Sequence, residues 1–241
     1  MQVLITGGSK GIGRAIAESV LAAGYPAHLV ARNETRLRRV VNELSDLGDV
    51  TCSALDLSDA NAVLAFCRAW QGDLHGLVNN AGYWLEDPVE EVDAGLFTAL
   101  LSVNLVAPYI LTKGLMARIR NGGRVINISS QLGTQGRERM GAYSASKHGL
   151  IGLTKSWAPE VGPRGITVNA VCPGWVNTES NRTELRELAQ QRGTSLEHEM
   201  GAISRSLALK RFIEPKEVAD LVTFLLGADA SGITGQVYEI K

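Results

Sequence analysis

Short apolar segments alternate with longer amphipathic segments along nearly the whole chain, and this alternation limits the fold more than any other feature. The apolar segments are predicted strands: Gln2–Ile5, Ala27–Ala31, Thr51–Leu55, Gly76–Asn79, Gly123–Ile128, Ile166–Val171 and Gln236–Ile240. The amphipathic segments are predicted helices, among them Ile12–Leu21, Arg36–Leu44, Ala60–Ala69 and Pro215–Leu226. Strands separated by helical segments of about 10–15 residues indicate βαβ units and a parallel sheet.

The composition of the strands indicates how the sheet is covered. Gly76-Leu77-Val78 is apolar at every position, as expected of a strand buried on both faces. We therefore predict an α/β fold, a doubly wound parallel seven-stranded sheet with helices on both faces. No linker or repeat interrupts the 241 residues, so we predict a single domain over residues 1–241. The charged, helical segment Glu179–Lys210 breaks the alternation and resembles an insertion over a site.

Charge and cysteine content exclude several classes of function. Lys and Arg number 24 and Asp and Glu number 25, so the chain lacks the basic surplus typical of nucleic-acid binders. The three cysteines form no CxxC pair, which favours reduced, buried thiols. No HExxH or paired histidine spacing is present, so we expect no metal site. The start of the chain, Met1–Ile5, lacks the features of a signal peptide, and we expect a cytoplasmic protein.

One uncharged stretch, from Ala94 to Thr112, is long enough to be compared with a membrane span. It contains Ser102, Asn104 and Pro108, and Gly95 and Pro108 are expected to interrupt a helix there. We therefore predict a buried or subunit-interface helix and no membrane association.

A glycine-rich loop, Gly7-Gly8-Ser9-Lys10-Gly11-Ile12-Gly13, follows the first strand and opens a helix. Glycines at such a turn let backbone N–H groups and the helix N-terminus approach a pyrophosphate. The spacing is not GxGxxG, and an ordinary strand-to-helix turn is the alternative. The position directly after the first strand favours dinucleotide binding.

The residue that follows the second strand selects between dinucleotides. An acidic residue there would bind a ribose 2′-hydroxyl, whereas Arg accommodates a 2′-phosphate. The chain has Ala31-Arg32-Asn33, and Lys10 adds a second cation in the loop. The alternative is that both cations are merely solvated. We predict that the cofactor is NADP(H).

Tyr143 and Lys147 are spaced i and i+4, so on a helix their side chains share a face. A free Tyr has a pKa near ~10, which is poorly suited to proton transfer at neutral pH. A cation about 4 Å away, at an effective dielectric of about 20, supplies about 4 kcal/mol, or about three pKa units. Lys147 is therefore predicted to lower the pKa of Tyr143. A YxxxK pair taken alone is better explained as a surface helix contact.

Three strand ends carry polar or glycine residues that would meet at one edge of the sheet. They are Ser130 after Arg124–Ile128, Asn79-Asn80-Ala81-Gly82, and Cys172-Pro173-Gly174-Trp175-Val176-Asn177-Thr178. The Ser130 hydroxyl could hold a carbonyl oxygen while Tyr143 donates a proton. A helix cap is the alternative role for Ser130, and Ser129 is a rival for the catalytic one.

With these motifs the chain resembles the single-domain branch of the short-chain dehydrogenase/reductase family, from Thr6 to about Gln236. The motifs are Thr6-Gly7-x-x-x-Gly11-x-Gly13, Asn79-Asn80-Ala81-Gly82, Ser130, Tyr143-x-x-x-Lys147 and Pro173-Gly174. The resemblance implies a Rossmann-like fold with NADP(H)-dependent oxidoreductase activity. The chain departs from the family pattern at Pro159, which is expected to bend or end a helix early.

The resemblance also implies roles for individual residues. Tyr143 would be the general acid, Lys147 would tune it and bind the nicotinamide ribose, Ser130 would hold the substrate oxygen, and Asn104 would support a water. The implied cofactor-binding residues are Gly7, Ser9, Lys10, Gly11, Ile12, Gly13, Arg32, Asp56, Leu57, Asn80, Ala81, Gly82, Pro173, Gly174, Val176 and Thr178, together with Tyr143 and Lys147.

Within the family the chain looks most like 3-oxoacyl-[acyl-carrier-protein] reductases and polyketide ketoreductases, which implies a ketone or acyl thioester substrate. Carrier-protein reductases use two basic residues at the entrance. Arg164 matches one of them, and the other position falls on Asn121, with Arg118 and Arg120 nearby. The resemblance also implies a lid at residues 179–210 and a homotetramer. Alternatives are a catalytically silent NADP(H)-binding sensor or structural subunit and, within the class, an alcohol dehydrogenase.

Overall fold

The computed structural model describes residues 1–241 and contains one seven-stranded sheet in which all neighbouring strands are parallel. The strands are β1 (Gln2–Thr6), β2 (Ala27–Ala31), β3 (Val50–Ala54), β4 (Leu74–Asn79), β5 (Ile119–Ile128), β6 (Thr167–Pro173) and β7 (Val237–Ile240). Their order is β3-β2-β1-β4-β5-β6-β7, a doubly wound, Rossmann-like arrangement whose direction reverses between β1 and β4. The predicted fold class is confirmed.

Helices connect the strands and cover both faces of the sheet. They are α1 (Gly11–Ala22), α2 (Glu34–Leu44), α3 (Ala60–Ala69), α4 (Ala94–Leu101), α5 (Ala107–Leu115), α6 (Gly141–Val161), α7 (Glu179–Arg192), α8 (Leu196–Ser206) and α9 (Pro215–Leu226). The largest boundary error of the sequence prediction is in β5, which begins at Ile119 rather than at Gly123. Ile119 pairs with Leu74 of β4. The residues that follow Ile119 are polar or glycine, so the apolar pattern did not indicate a strand there.

The core consists of two apolar layers, one on each face of the sheet. Successive strand residues point to opposite faces, so Val3 and Ile5 pack with α1 and α9 while Leu4 packs on the other face. The second layer includes Leu111 of α5 and Trp157 of α6. Burial on both faces explains why β1 and β4 are apolar at consecutive positions.

The uncharged stretch is helical throughout, and the expectation that Gly95 and Pro108 interrupt it is wrong. A π-helical turn, Ser102–Val106, joins α4 to α5, and Pro108 lies in the first turn of α5, where its missing N–H costs little. The helical run Ala94–Leu115 has a mean hydropathy of 1.8 and meets the length and composition of a membrane span, a test that core helices also pass. Leu100 and Leu111 on this run are completely buried.

Pro159 does not end its helix, because α6 continues to Val161. The proline lies in the last turn, so few of the hydrogen bonds of α6 depend on it. The charged segment 179–210 forms the two helices α7 and α8, as expected for a helical insertion.

Candidate active site

The carboxyl ends of β1, β4, β5 and β6 bring the sequence motifs to one edge of the sheet. Open α/β sheets bind ligands at this edge, beside the point where the strand order reverses. Here that point lies between β1 and β4, with the glycine-rich loop after β1 and Asn80 after β4.

The glycine-rich loop and the loop after β4 are joined by hydrogen bonds. The Oγ1 of Thr6 accepts from the backbone N–H groups of Asn80 and Ala81, both at 3.0 Å. The side-chain amide of Asn80 donates to the backbone oxygen of Thr6 at 2.8 Å. A Cβ on Gly13 would lie 2.5 Å from Asn80 Nδ2 and closer still to the Gly7 carbonyl oxygen. Only glycine fits at position 13.

This loop has the form of an anion cradle. Gly7 and Gly11 have φ values of +69° and +54°, conformations that side-chain-bearing residues rarely adopt. Lys10 is the N-cap of α1, and its side chain makes no cap hydrogen bond. The first N–H groups of α1 therefore remain available to an anion, and the first turn holds no acidic residue. The donors present fit the phosphates of a dinucleotide.

Two free cations flank the cradle. Arg32, directly after β2, and Lys10 are exposed, and neither side chain makes a hydrogen bond or an ion pair. Their positions fit a 2′-phosphate. After β3, Asp56 accepts from the N–H and hydroxyl of Ser58 at 2.9 and 2.8 Å, and these bonds hold the pKa of Asp56 below its usual value. Leu57 beside it is buried.

Helix α6 carries Tyr143 and Lys147 on one face, directed toward the end of β5. Lys147 is 4% exposed, and its Nζ donates to the carbonyl oxygen of Ile128 at 2.9 Å. Its Nζ lies 5.7 Å from the centre of the Tyr143 ring. Burial lowers the pKa of Lys147 to about 8. A buried ammonium with one carbonyl partner has donors to spare for ribose hydroxyls.

The prediction that Lys147 lowers the pKa of Tyr143 is wrong for this arrangement. Burial instead raises the pKa of Tyr143 to about 12, and the neighbouring Ser130 hydroxyl offsets only part of that increase. The physical reason is that Lys147 is directed to Ile128, so desolvation of the phenolate outweighs the attraction of the cation. Tyr143 is therefore protonated across the neutral range.

The structure distinguishes the two serines after β5. The hydroxyl of Ser129 is buried and donates to the backbone oxygen of Lys147 at 3.0 Å, so it anchors helix α6 to the end of β5. Ser130 caps the short 3₁₀ turn Gln131–Gly133 by accepting from Leu132 N at 3.1 Å. Its hydroxyl also lies beside Tyr143. Ser130 thus has both the cap role and the position next to the phenol.

Asn104 lies in the π-helical turn and is completely buried. Its amide donates to Tyr83 O at 2.8 Å and to Ser146 Oγ at 3.2 Å. A Cβ on Gly82 would lie 3.0 Å from Asn104 Oδ1 and 3.3 Å from Lys147 Nζ. The π turn therefore directs a polar side chain from an apolar helix toward Lys147, and such turns are frequent at functional sites.

A buried polar network beneath the site was not predicted from the sequence. Asn79 donates to Asn127 Oδ1 at 2.8 Å and to Thr112 Oγ1 at 3.1 Å, and Asn127 donates to Thr154 Oγ1 at 2.9 Å. Asn79 and Asn127 are register partners on β4 and β5. The network ties α5 and α6 to the sheet. Two asparagines within apolar strands were the signal that could have revealed it.

The loop after β6 completes the edge. Pro173 ends β6 and Gly174 follows it, and a Cβ on Gly174 would lie 2.7 Å from Gln131 Oε1. Val176 is buried, and Thr178 caps α7 by accepting from Asn181 N at 3.2 Å. A Cβ on Gly11 would be 3.5 Å from Thr178 Cγ2, so the start of α7 lies against the glycine-rich loop.

Aromatic and basic side chains contact Trp175 in the loop after β6. Trp175 packs against Phe212 with ring centres 5.8 Å apart, and the guanidinium of Arg137 lies 5.5 Å from the Trp175 ring.

On another side of the molecule, Arg164 donates to the carbonyl oxygens of Met116 and Ile119 and to Asn121 Oδ1. Its guanidinium is therefore engaged within the chain.

Comparison with known proteins supports a common origin for this arrangement. The family model described as short chain dehydrogenase matches residues 1–189. A Streptomyces violaceoruber protein of the granaticin polyketide synthase is 36% identical over 247 residues, 98% of this chain and 90% of that protein. The 3-oxoacyl-[acyl-carrier-protein] reductase FabG of Salmonella typhimurium is 33% identical over 241 residues, 99% of this chain and 94% of that protein.

A solved structure agrees over the same extent. The crystal structure of an actinorhodin polyketide ketoreductase variant with NADPH superimposes with a TM-score of 0.91 at 32% identity, covering 99% of this chain and 94% of that one. The match spans the sheet, the glycine-rich loop and the helix that carries Tyr143 and Lys147. The chain belongs to the short-chain dehydrogenase family and is an oxidoreductase.

Proposed function

We propose that the protein is an NADP(H)-dependent ketoreductase of the 3-oxoacyl type, with Tyr143 as general acid. The observation that carries this proposal is the convergence of Tyr143, Ser130, Lys147 and Asn104 beside the glycine cradle. The bound cofactor supplies the hydride that reduces the carbonyl carbon. The protein's own residues hold the cofactor, orient the ketone and deliver the proton.

The acid–base residues divide this work. Ser130 donates a hydrogen bond to the carbonyl oxygen, which positions the ketone beside Tyr143. Tyr143 gives its phenolic proton to that oxygen as negative charge develops on it, so the ketone becomes a secondary alcohol. Lys147 binds the nicotinamide ribose through the ammonium donors that its bond to Ile128 leaves free. Asn104 supports a water through which Tyr143 regains a proton.

The cofactor residues are assigned by their place on the sheet edge. The glycine-rich loop, with Gly7, Ser9, Gly11, Ile12 and Gly13, receives the pyrophosphate at the N-terminus of α1. Lys10 and Arg32 receive the 2′-phosphate. The remaining proposed contacts line the cleft toward the adenine and the nicotinamide: Asp56, Leu57, Asn80, Ala81, Gly82, Pro173, Gly174, Val176 and Thr178. The insertion 179–210 closes over the substrate as a lid.

The substrate is a ketone or an acyl thioester. The Salmonella typhimurium relative is named a 3-oxoacyl-[acyl-carrier-protein] reductase, and the actinorhodin enzyme acts in polyketide synthesis by its name. A free ketone is the second candidate, because Arg164 is bound to carbonyl oxygens of its own chain and Asn121 is neutral. Neither residue offers a free cation to an acidic carrier protein. We place the protein in the cytoplasm, as expected of reduced cysteines.

The experiment that tests the proposed function follows the loss of reduced-cofactor absorbance. NADPH and NADH are each supplied with an acetoacetyl thioester and with simple and aromatic ketones. We expect NADPH oxidation with at least one ketone, and the best ketone identifies the substrate class. Tight NADPH binding with no turnover of any ketone would favour the silent sensor or structural subunit instead.

Replacing Arg32 by aspartate is expected to move cofactor preference from NADPH toward NADH. The substitution removes charge-assisted hydrogen bonds worth about 1.5–3 kcal/mol and adds repulsion of the 2′-phosphate, so the ratio of kcat/KM values should change about 100-fold. Steady-state kinetics with both cofactors measure that ratio. Arg68→Asp, at the exposed end of α3, makes the same charge change away from the site. Unchanged selectivity in Arg32→Asp would refute the 2′-phosphate assignment.

The protein is expected to sediment as a tetramer or, failing that, a dimer. Phe97, Val106 and Tyr109 are 43%, 39% and 42% exposed along one apolar helical run, and subunit contact would cover them. Analytical ultracentrifugation at micromolar concentration measures the assembly. Phe97→Glu should shift it toward smaller species, because a buried charge opposes association. A wild-type monomer would contradict this prediction.

A further inference from the structure

Glu184, on helix α7 of the insertion, is a carboxyl that the proposed mechanism does not use. Its Oε2 is fully buried and has no hydrogen-bond partner. Glu199, the buried acid of the neighbouring helix α8, differs sharply, since it accepts from Thr194 Oγ1 at 2.6 Å and from Arg192 at 3.1 Å. Buried polar atoms without partners are rare in native proteins, so the isolated oxygen of Glu184 requires an explanation.

The position of Glu184 indicates why its Oε2 has no hydrogen-bond partner. The start of α7 lies against the glycine-rich loop through Thr178 and Gly11. Glu184 is close enough to Lys10 of that loop to be affected by its charge, and its own charge acts on Tyr143 of α6. The carboxyl is therefore near both the phosphate cradle and Tyr143, on the helix whose start lies against the cradle.

The titratable groups around this carboxyl are Lys10 from the loop, Tyr143 from α6 and Glu187 from α7 itself. Burial and the negative charge of Glu187 raise the pKa of Glu184 to about 7, and Lys10 offsets only part of that increase. The carboxyl is thus divided between its two protonation states near neutral pH. Any anion that enters the cleft further disfavours the charged state.

We propose that Glu184 is a further cofactor-binding residue, which is protonated in the complex with NADP(H) and donates a hydrogen bond to an oxygen of the dinucleotide. Protonation removes the repulsion between the carboxylate and the phosphates and converts an acceptor-only group into a donor. Cofactor binding therefore takes up a proton at this residue. This inference rests on the proposed function, because it takes the dinucleotide to occupy the cleft.

Binding of NADP(H) is expected to weaken as pH rises. The anionic cofactor raises the pKa of Glu184 above its value in the free protein, so binding is favoured by protonation and weakens as pH rises above about 7. Lys147, whose pKa is lowered to about 8, titrates in the same range. It contributes equally to the pH dependence of binding in every variant that retains it. A comparison of two proteins that differ only at Glu184 removes that contribution.

The test is titration calorimetry of NADPH binding to the full-length protein, wild type and Glu184→Gln, from pH 7 to pH 9. Buffers of different ionisation enthalpy give the number of protons taken up. Gln has the shape of the protonated carboxyl and a donor of its own, so Glu184→Gln should fold and bind. Glu197→Gln, an exposed acid on α8, is the matched control.

We expect wild type and Glu197→Gln to take up about half a proton per site more than Glu184→Gln near pH 7.5. The dissociation constant of wild type, divided by that of Glu184→Gln, should rise about tenfold or more from pH 7 to pH 9. Equal proton uptake or a constant ratio would overturn this inference alone. Failure of wild type to bind NADPH would overturn both it and the proposed cofactor.

Discussion

Tyr143→Phe is expected to lower ketone reduction by about 1,000-fold while leaving NADPH binding almost unchanged. General acids contribute about 10²–10⁴ to a rate, and phenylalanine has no proton to donate. Burial raises the pKa of Tyr143 to about 12, so the phenol of the free protein is protonated at neutral pH. A protonated phenol is the form that reduction requires, whereas alcohol oxidation requires the phenolate and should accelerate as pH rises.

The measurement combines steady-state kcat with NADPH binding by fluorescence or calorimetry. Tyr25→Phe is the control, since Tyr25 stacks on His75 with ring centres 4.6 Å apart and is part of a different region. Loss of activity without loss of binding separates the chemical step from cofactor capture. If Tyr143→Phe retained wild-type kcat, the assignment of the general acid would be wrong.

Gly13→Ala is expected to abolish dinucleotide binding and to destabilise the fold by more than about 3 kcal/mol. An alanine inside a helix normally stabilises by about 0.5–1 kcal/mol relative to glycine. Here the added Cβ would lie 2.5 Å from Asn80 Nδ2 and closer still to the Gly7 carbonyl oxygen. Neither atom can move easily, because one is backbone and the other is hydrogen-bonded to Thr6 O at 2.8 Å. The steric term therefore outweighs the helix propensity.

Denaturant unfolding gives the change in stability, and calorimetry gives NADPH affinity. Gly201→Ala in α8 is the matched control, because its Cβ would make only an ordinary contact with Arg205 at 3.4 Å. That variant should be neutral or slightly stabilised. A Gly13→Ala protein as stable as wild type, with full cofactor affinity, would show that the loop is looser than its contacts indicate.

Local patterns predicted most of the fold and the positions of the site residues. Apolar strands and amphipathic helices specify the layers through burial alone, and parallel βαβ units must place their loops at one edge. The spacing of Tyr143 and Lys147 likewise sets them on one face of a helix without further information. Such features depend on residues close together in the chain, so a single sequence is sufficient to predict them.

Features set by packing between distant segments could not be predicted from local sequence patterns. The helix through Pro108 relies on a π turn, whose advantage is to direct Asn104 toward Ser146 and Tyr83. The chain that joins Asn79, Asn127 and Thr154 depends on strand register and on where α6 packs. In both cases the stabilising partner lies far along the sequence.

The sequence by itself determined the parallel sheet, the glycine cradle with its two cations, and the placement of Tyr143, Lys147 and Ser130 at one edge of the sheet. Only the tertiary structure decided their electrostatics. Burial, rather than the spacing of Tyr143 and Lys147, sets their pKa values, because Lys147 is directed to Ile128. Burial likewise leaves the Oε2 of Glu184 without a hydrogen-bond partner. The physical reason is that desolvation depends on every group packed around an ionisable atom, and that environment exists only in the folded chain.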